Sequence, residues 1–329
     1  MKKVLVTGDR PSGKLHLGHY VGSLLNRVKM QADHETYIMI ADVQALTDHF
    51  ATPDLITKNV HEITRDYLSV GINPELSNIY IQSQIPEIAE LTIYYMNLVT
   101  VSRLERNPTI KTEIAQKNME DSILVGFLCY PINQAADITI LGADIVPTGE
   151  DQFPMIEQTN EIVRKFNRIY NTNILKECSC LVGSTGRLPG IDGKKKASKS
   201  LGNAISLADD STTVKEKIWN MFTDPNHLKV NDKGRVEGNV VFTYLDIFHE
   251  NKDEVSALKD HYQKGGLGDV KLKSLLYEDI ESVLTPIREK RQTLTNKQVI
   301  DVLQNGTQNA RKKAQSVLHS VRNVIGFNY

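Results

Sequence analysis

Two short stretches, far apart in the chain, carry residue types that hold polyphosphates. The first, Gly8-Asp9-Arg10-Pro11-Ser12-Gly13-Lys14-Leu15-His16-Leu17-Gly18-His19, follows an apolar run and opens onto helical periodicity. A strand-to-helix turn of this kind aims backbone N–H groups and the positive helix end at an anion. Arg10, Pro11 and Ser12 belong to that turn. The spacing is neither G-x-G-x-x-G nor a P-loop, so dinucleotide and Walker-type readings are weak. His16 and His19 share one face of a helix start and can both meet a phosphate. Gly18 between them lets an adenine or ribose approach the backbone. Taken alone, such a pair reads more simply as capping or surface histidines. The second stretch, Lys194-Lys195-Lys196-Ala197-Ser198-Lys199-Ser200, interleaves lysines and hydroxyls in a glycine-rich segment. It reads as a movable clamp whose charge counts most as pyrophosphate leaves. Alone it would be a solvated surface; paired with H-L-G-H upstream it becomes specific.

These stretches resemble the HIGH and KMSKS signatures of class I aminoacyl-tRNA synthetases, with Ala197 where that family commonly has methionine. Between them lie Tyr130-Pro131-Ile132-Asn133-Gln134-Ala135-Ala136-Asp137-Ile138 and Asp144-Ile145-Val146-Pro147-Thr148-Gly149-Glu150-Asp151-Gln152. This run is similar to the bacterial tryptophanyl-tRNA synthetase pattern, Y-P-x-x-x-A-A-D-I then V-P-x-G-E-D-Q. The C-terminal Ala-Arg-Lys-Lys-Ala and Ile-Gly-Phe also resemble that family, so the likeness runs nearly end to end. It implies that Asp137 accepts the indole N–H and that Tyr130 and Gln152 hold the α-amino end of L-tryptophan. Val146 and Thr148 would line the ring pocket, and Gly149 and Asp151 would meet the base and ribose of ATP. Lys111 aligns with a family lysine that reaches the phosphates. His16, His19, Lys196, Ser198, Lys199 and Ser200 complete the phosphate set, with Mg²⁺ carried by the nucleotide and no protein metal ligand. Four positions depart from the commonest bacterial form: Gln134 for methionine, Arg10 for glutamine, Gln44 for histidine and Thr148 for valine. The reaction implied is tryptophan activation to the adenylate, then transfer to tRNA(Trp). A homodimer is implied too, with residues 98–106 at its interface.

The elements that position these groups follow from periodicity. Val4 to Thr7, Tyr37 to Ala41, Ile79 to Ile81 and Asp144 to Pro147 read as buried strands. Helices are expected from His19 to Met30, after the Thr52-Pro53 start (Thr52 as cap, Gly71 as stop), and over 152–167. The alternation predicts a doubly wound, Rossmann-like parallel α/β sheet, interrupted by a helical insertion at about 86–128. The expected division is a catalytic domain at 1–188, a mobile loop at 189–205 and an all-helical tRNA/anticodon-binding domain at 206–329. Val240-Val241-Phe242 is the one strand-like run in that last part. Residues 281–329 hold eight Lys/Arg and three acids, a local charge of +5. Ala314, Val317, Leu318 and Val321 form a buried stripe there, with Gly326 as stop.

Bulk properties narrow the function. With 329 residues, 40% hydrophobic and 24% charged, the chain can bury a core without staples. A net charge of −1 leaves no global basic field, so a tRNA must be held by local patches. Cys129, Cys178 and Cys180 are too few for a disulfide framework and fit a reducing, cytoplasmic setting. No apolar stretch reaches membrane-span length. Three alternatives stay open. Tyr130-x3-Gln134-x2-Asp137 is also a tyrosyl-tRNA synthetase spacing, and a carboxylate accepts equally from a phenol or an indole. A nucleotidyltransferase of the same superfamily, or a regulatory protein that binds tryptophan without charging tRNA, would use parts of the same set.

Overall fold

The computed structural model describes residues 2–329 except 118, 120, 121, 183–187, 195, 196, 199 and 200. Its elements begin β1 (Val4–Asp9), α1 (Leu17–His19), a π turn (Tyr20–Leu24) and α2 (Leu25–Met30). There follow β2 (Glu35–Ile40), α3 (Asp42–His49), α4 (Pro53–Ser69) and β3 (Ser77–Ile81). The insertion supplies α5 (Pro86–Met96), α6 (Val101–Glu105) and α7 (Pro108–Lys117), and α8 (Val125–Thr139) leads to β4 (Ile145–Thr148). Then come α9 (Phe153–Ile169) and β5 (Ser179–Val182). The remainder is helical: α10 (Ser211–Trp219), α11 (Val240–Phe248), α12 (Lys252–Lys264), α13 (Asp269–Thr293) and α14 (Asn296–Ile325).

All strand pairs are parallel, in the order β3-β2-β1-β4-β5. The strand β1 pairs with β2 on one side and, through Leu5 opposite Ile145, with β4 on the other. The winding therefore reverses between β1 and β4, and doubly wound sheets bind ligands beyond the strand ends at such a point. Gly8 is required there, since a Cβ on it would lie 2.5 Å from the Met39 carbonyl oxygen on β2. The fifth strand, which opens beside Cys178 and includes Cys180, escapes the periodicity because it is short and half-exposed.

The chain divides into two compact units, 1–12 with 26–184 and 295–329, and 13–25 with 185–294. This differs from the expected division in two ways. The H-L-G-H segment belongs with the lysine-rich loop and the helices that follow it. The C-terminal helix α14 belongs with the sheet. Its stripe explains why: Ala310, Ala314, Leu318 and Val321 join the core of the sheet unit. Charge follows the same path, with Arg311 on Glu87 (3.2 Å), Lys313 on Glu35 (2.7 Å) and Arg322 on Glu90 (2.6 Å).

In the second unit, Val240-Val241-Phe242 opens the helix α11 instead of a strand. The Asn239 side chain accepts from the Val241 N–H at 3.0 Å, and this cap outweighs the β preference of two valines. Thr52, expected to cap α4, makes no side-chain cap, although Pro53 stands at the first turn as expected.

Where α14 crosses β3, Gly306 is fully enclosed by backbone. A Cβ there would stand 2.0 Å from the Ile79 carbonyl oxygen and 2.7 Å from its nitrogen. Backbone cannot rotate away, so Gly306→Ala must lift the helix off the strand. The expected loss is about 3 kcal/mol of unfolding free energy by urea titration; a loss within experimental error would show that α14 packs less closely than this.

Candidate active site

The end of β1 is pinned from below. Arg27, on α2 and almost wholly buried, places Nη1 2.6 Å from Asp9 Oδ2, and the Tyr67 hydroxyl of α4 donates to the same oxygen at 2.7 Å. The guanidinium also lies 5.7 Å from the centroid of the Tyr67 ring. A buried pair gains only when geometry and extra hydrogen bonds offset desolvation, and Tyr67 supplies one. The turn that begins at Arg10 thus leaves a fixed point. Arg10 itself is half-exposed and pairs with Asp48 of α3 at 2.7 Å.

The side chain of Asp137 is 1% exposed. The amide Nε2 of Gln82, in the single turn that follows β3, donates to Asp137 Oδ1 and Oδ2 at 2.9 and 3.0 Å. The same nitrogen reaches Asn133 Oδ1 at 3.0 Å, one helical turn earlier on α8. The Gln82 Oε1 accepts from the backbone N–H of Gln44 at 3.1 Å. Burial pushes the Asp137 carboxyl up to about 7, Gln82 opposes this by stabilising the ionised form, and the Asp42 charge adds a smaller upward push. A buried carboxyl poised near neutrality marks a functional-site candidate.

Along the same helix, Tyr130, Gln134 and Asp137 recur at helical spacing on one face. The Tyr130 hydroxyl donates to Glu113 Oε2 at 3.2 Å. Its phenol is raised above the ordinary range, by burial first and the Glu113 charge second. Gln134 Nε2 meets Gln152 Oε1 at 3.4 Å, and Gln152 Nε2 meets Asp151 Oδ2 at 3.5 Å. Val146 is buried in β4 and Thr148 ends that strand, half-buried. Gly149 leaves room for Asp151, whose Oδ1 would lie 2.8 Å from a Cβ at that position. The Thr109 hydroxyl donates to the Asp151 carbonyl at 2.9 Å, which ties the start of α7 to this turn. Lys111 is exposed on the first turn of that helix. All the amino-acid residues expected from the sequence are therefore in the sheet unit, on α8, β4 and the turn after it.

The H-L-G-H element is built within the other unit. His16 Nδ1 accepts from the Gly18 N–H at 3.1 Å, and His19 Nδ1 accepts from the His16 N–H at 3.3 Å, a reciprocal capping box. The rings pack 3.9 Å apart. The cap therefore sets the orientation of both rings. A Cβ on Gly18 would collide with the His16 ring at 2.8 Å. Leu15 to Leu17 pairs with the segment just after the lysine loop: Leu17 N–H donates to Ile205 O and Leu207 N–H to Leu15 O, both at 2.9 Å. The H-L-G-H element is thus hydrogen-bonded to the segment that follows the lysine-rich stretch.

The loop between them is braced by Asn203. Its Oδ1 accepts from the Ser198 N–H at 2.9 Å, its Nδ2 donates to Asp192 at 3.1 Å, and its carbonyl accepts from Ile191 N–H at 2.9 Å. Ala197, where the resembling family has methionine, is buried and donates through its N–H to Leu188 O. Lys196, Lys199 and Ser200 lie outside the described residues. Sequence reasoning passed over Gln82, Glu113 and Asn203. Gln82 carried a usable signal, since it immediately follows a parallel strand, where doubly wound folds place site residues. Glu113 and Asn203 carried none, being polar residues in helical or loop segments.

A 3-2-1-4-5 parallel sheet with a helical insertion, an H-L-G-H cap and a lysine–serine loop is the class I synthetase architecture. The family model for class I tRNA synthetases (W and Y) matches residues 2–285, and the chain belongs to that family. The tryptophan–tRNA ligase of Streptococcus mutans is 55% identical over 337 residues, covering 100% of this chain and 99% of its own. That of Clostridium longisporum is 54% identical, with 100% and 98% covered. Among solved structures, Campylobacter jejuni tryptophanyl-tRNA synthetase complexed with ADP and tryptophan superposes with a TM-score of 0.85 at 28% identity, covering 98% of this chain and 99% of that one.

The raised Asp137 carboxyl has a stability consequence. Its folded value lies above its unfolded one, so the unfolded chain releases the proton first. Stability is full below the ordinary carboxylate range and drains as pH rises to about 7. Asp137→Asn should therefore gain on the order of 2 kcal/mol at about pH 8 and much less at about pH 4.5 by urea unfolding, while losing activity. An equal effect at both pH values would exclude a buried ionised carboxylate as the cause.

Proposed function

We propose that the chain is a tryptophan–tRNA ligase. The carboxylate of L-tryptophan attacks the α-phosphate of Mg²⁺-ATP, giving tryptophanyl-adenylate and pyrophosphate, and a terminal ribose hydroxyl of tRNA(Trp) then attacks the activated carbonyl. Neither step requires a protein nucleophile, so catalysis is positioning and charge stabilisation. The observation that carries the substrate is Asp137: a carboxylate buried on the face that also bears Tyr130 and Gln134, suited to one ring N–H. The full-length relatives named for tryptophan support it.

Tyr130 and Gln152 hold the amino end, with the Glu113 carboxylate that Tyr130 binds adding negative charge beside an ammonium. Val146, Gln134 and Thr148 enclose the ring. Gly149 and Asp151 receive the adenosine, and Arg10, Pro11, Ser12 and Gly18 shape the phosphate turn. His16, His19, Lys111, Lys196, Ser198, Lys199 and Ser200 handle the phosphates. The metal arrives with the nucleotide.

The enzyme acts as a homodimer through the region about residues 98–106, where Val101 leaves a large apolar side chain more than half exposed, with Ile93 exposed on the preceding helix. For the tRNA, three cations of α14 are already committed to Glu87, Glu35 and Glu90. Phosphate contacts then fall to exposed lysines such as Lys290, Lys297 and Lys312, and make affinity salt-dependent. No helix among the described residues is long and apolar enough to cross a membrane, and three free thiols suit the cytoplasm.

ATP–pyrophosphate exchange, run separately with tryptophan and with tyrosine, tests the reading. Exchange should require tryptophan; exchange with tyrosine alone would keep the class and overturn the substrate, and none with either would favour a non-charging relative. In the same assay Lys199→Ala should lower the exchange rate about a hundredfold, with a much smaller effect on tryptophan affinity. A normal rate with weakened tryptophan binding would place Lys199 elsewhere.

A further inference from the structure

Asp137 is the acceptor in the reading above, and the following rests on that reading. An isolated buried carboxylate takes up a proton, and a protonated carboxyl is a poorer partner for a donor-only ring N–H. Something must hold it ionised and aimed. Among the described residues around it, Gln82 is the one that donates a hydrogen bond. The Tyr80 hydroxyl of β3, fully buried and close enough to be raised by the Asp137 charge, has no hydrogen-bond partner of its own. Asp42, at the start of α3, is an acid that opposes ionisation. On α8 and α5, Asn133 and Thr92 are neutral, and Asn133 donates to Thr92 Oγ1 at 3.1 Å, away from the carboxylate.

The orientation of Gln82 is not arbitrary. Its oxygen is held by the Gln44 backbone N–H, which forces its NH₂ toward α8. There the two amide hydrogens are shared among Asn133 Oδ1 and both Asp137 oxygens. Thr92 in turn donates to the Ile88 carbonyl at 2.8 Å. The chain of donors from Gln44 through Gln82 and Asn133 to Thr92 therefore runs one way, and reversing the Gln82 amide would leave two acceptors face to face.

We propose that Gln82 is a positioning residue for substrate selection: its amide, locked by the Gln44 backbone, holds Asp137 as an ionised, aimed acceptor for the ring donor of the amino acid. Gln82 does not touch the substrate in this role; it acts through Asp137. With Gln82 supplying donors on one side, the remaining carboxylate lone pairs serve the ring N–H.

The test is tryptophan affinity without nucleotide, by equilibrium dialysis of radiolabelled tryptophan from about pH 5.5 to about pH 8.5. This removes the phosphate-site histidines from the readout. The wild type should bind weakly at the acid end and tighten as Asp137 ionises. Gln82→Met, similar in shape but without a donor, should move that rise upward by about one pH unit and weaken binding about tenfold near pH 7. The loss should shrink toward the alkaline end. Gln82→Glu, a second carboxylate against the first, should move the rise further. The KM for ATP and the circular dichroism of each variant report folding, and the Glu variant carries the same readout should the Met variant not fold.

Asp137→Asn separates the two claims. If it weakens tryptophan binding at every pH while the Gln82 variants leave the rise in place, Asp137 is the acceptor and the role of Gln82 is overturned. A pH-independent loss in Gln82→Met likewise overturns it, as a packing effect only. If Asp137→Asn binds tryptophan normally, the acceptor reading itself fails, and this proposal with it.

Discussion

The structure turns on a buried charge at the end of the central strand. Asp9 closes β1 and is gripped by Arg27 and Tyr67 from two different helices. A lone aspartate there would be neutralised or hydrated; a lone arginine would be worse. Together, with a phenol completing the set, they fix where the chain leaves the sheet. Everything downstream in the phosphate turn begins from that point. Gly8 supports it from the other side, because only glycine lets β1 lie so close to Met39 on β2. The end of β1 is thus held by a side-chain cluster and by a close backbone contact with β2.

A second buried charge, Asp137, is handled differently. It has no cationic partner among the described residues, only a neutral amide, and its carboxyl sits near neutrality as a result. For stability alone an asparagine would be the better residue. A desolvated acceptor that is already oriented can discriminate strongly between ligands that carry a matching donor and those that lack it. The two carboxylates are thus supported differently, Asp9 by a cation and a phenol and Asp137 by a neutral amide that reaches both of its oxygens.

Much of this was legible in the sequence, but unevenly. The four buried strands announced themselves as apolar runs, and their alternation with helices gave a doubly wound parallel sheet, whereas the order β3-β2-β1-β4-β5 is seen only in the structure. The phosphate elements were legible as residue types. Their mutual bracing was not, because the pairing of Leu15–Leu17 with Ile205–Leu207 joins residues nearly two hundred positions apart. Nor was the home of α14. Its stripe of Ala314, Leu318 and Val321 says only that one face is buried, not which surface buries it. The clue lay in Gly306, a helix-interior glycine that is costly unless another backbone must approach closely. The strand-like Val240-Val241-Phe242 misled because buried helices and buried strands share composition, and the deciding residue was the Asn239 cap.

The departures from the commonest bacterial pattern also acquire a physical sense. Gln44 contributes its backbone N–H to Gln82, so the acceptor network does not depend on which side chain stands at that position. Gln134 brings an amide into a pocket where a thioether would be expected, and that amide meets Gln152, itself bonded to Asp151. The added polarity is therefore absorbed by a neighbouring polar chain and is not left buried without a partner. Arg10 is matched in the same way by Asp48. Gln134 and Arg10 thus each meet a partner on another element. Asp137 rests on supports that none of these side chains supplies: a strand end, a backbone N–H and one amide.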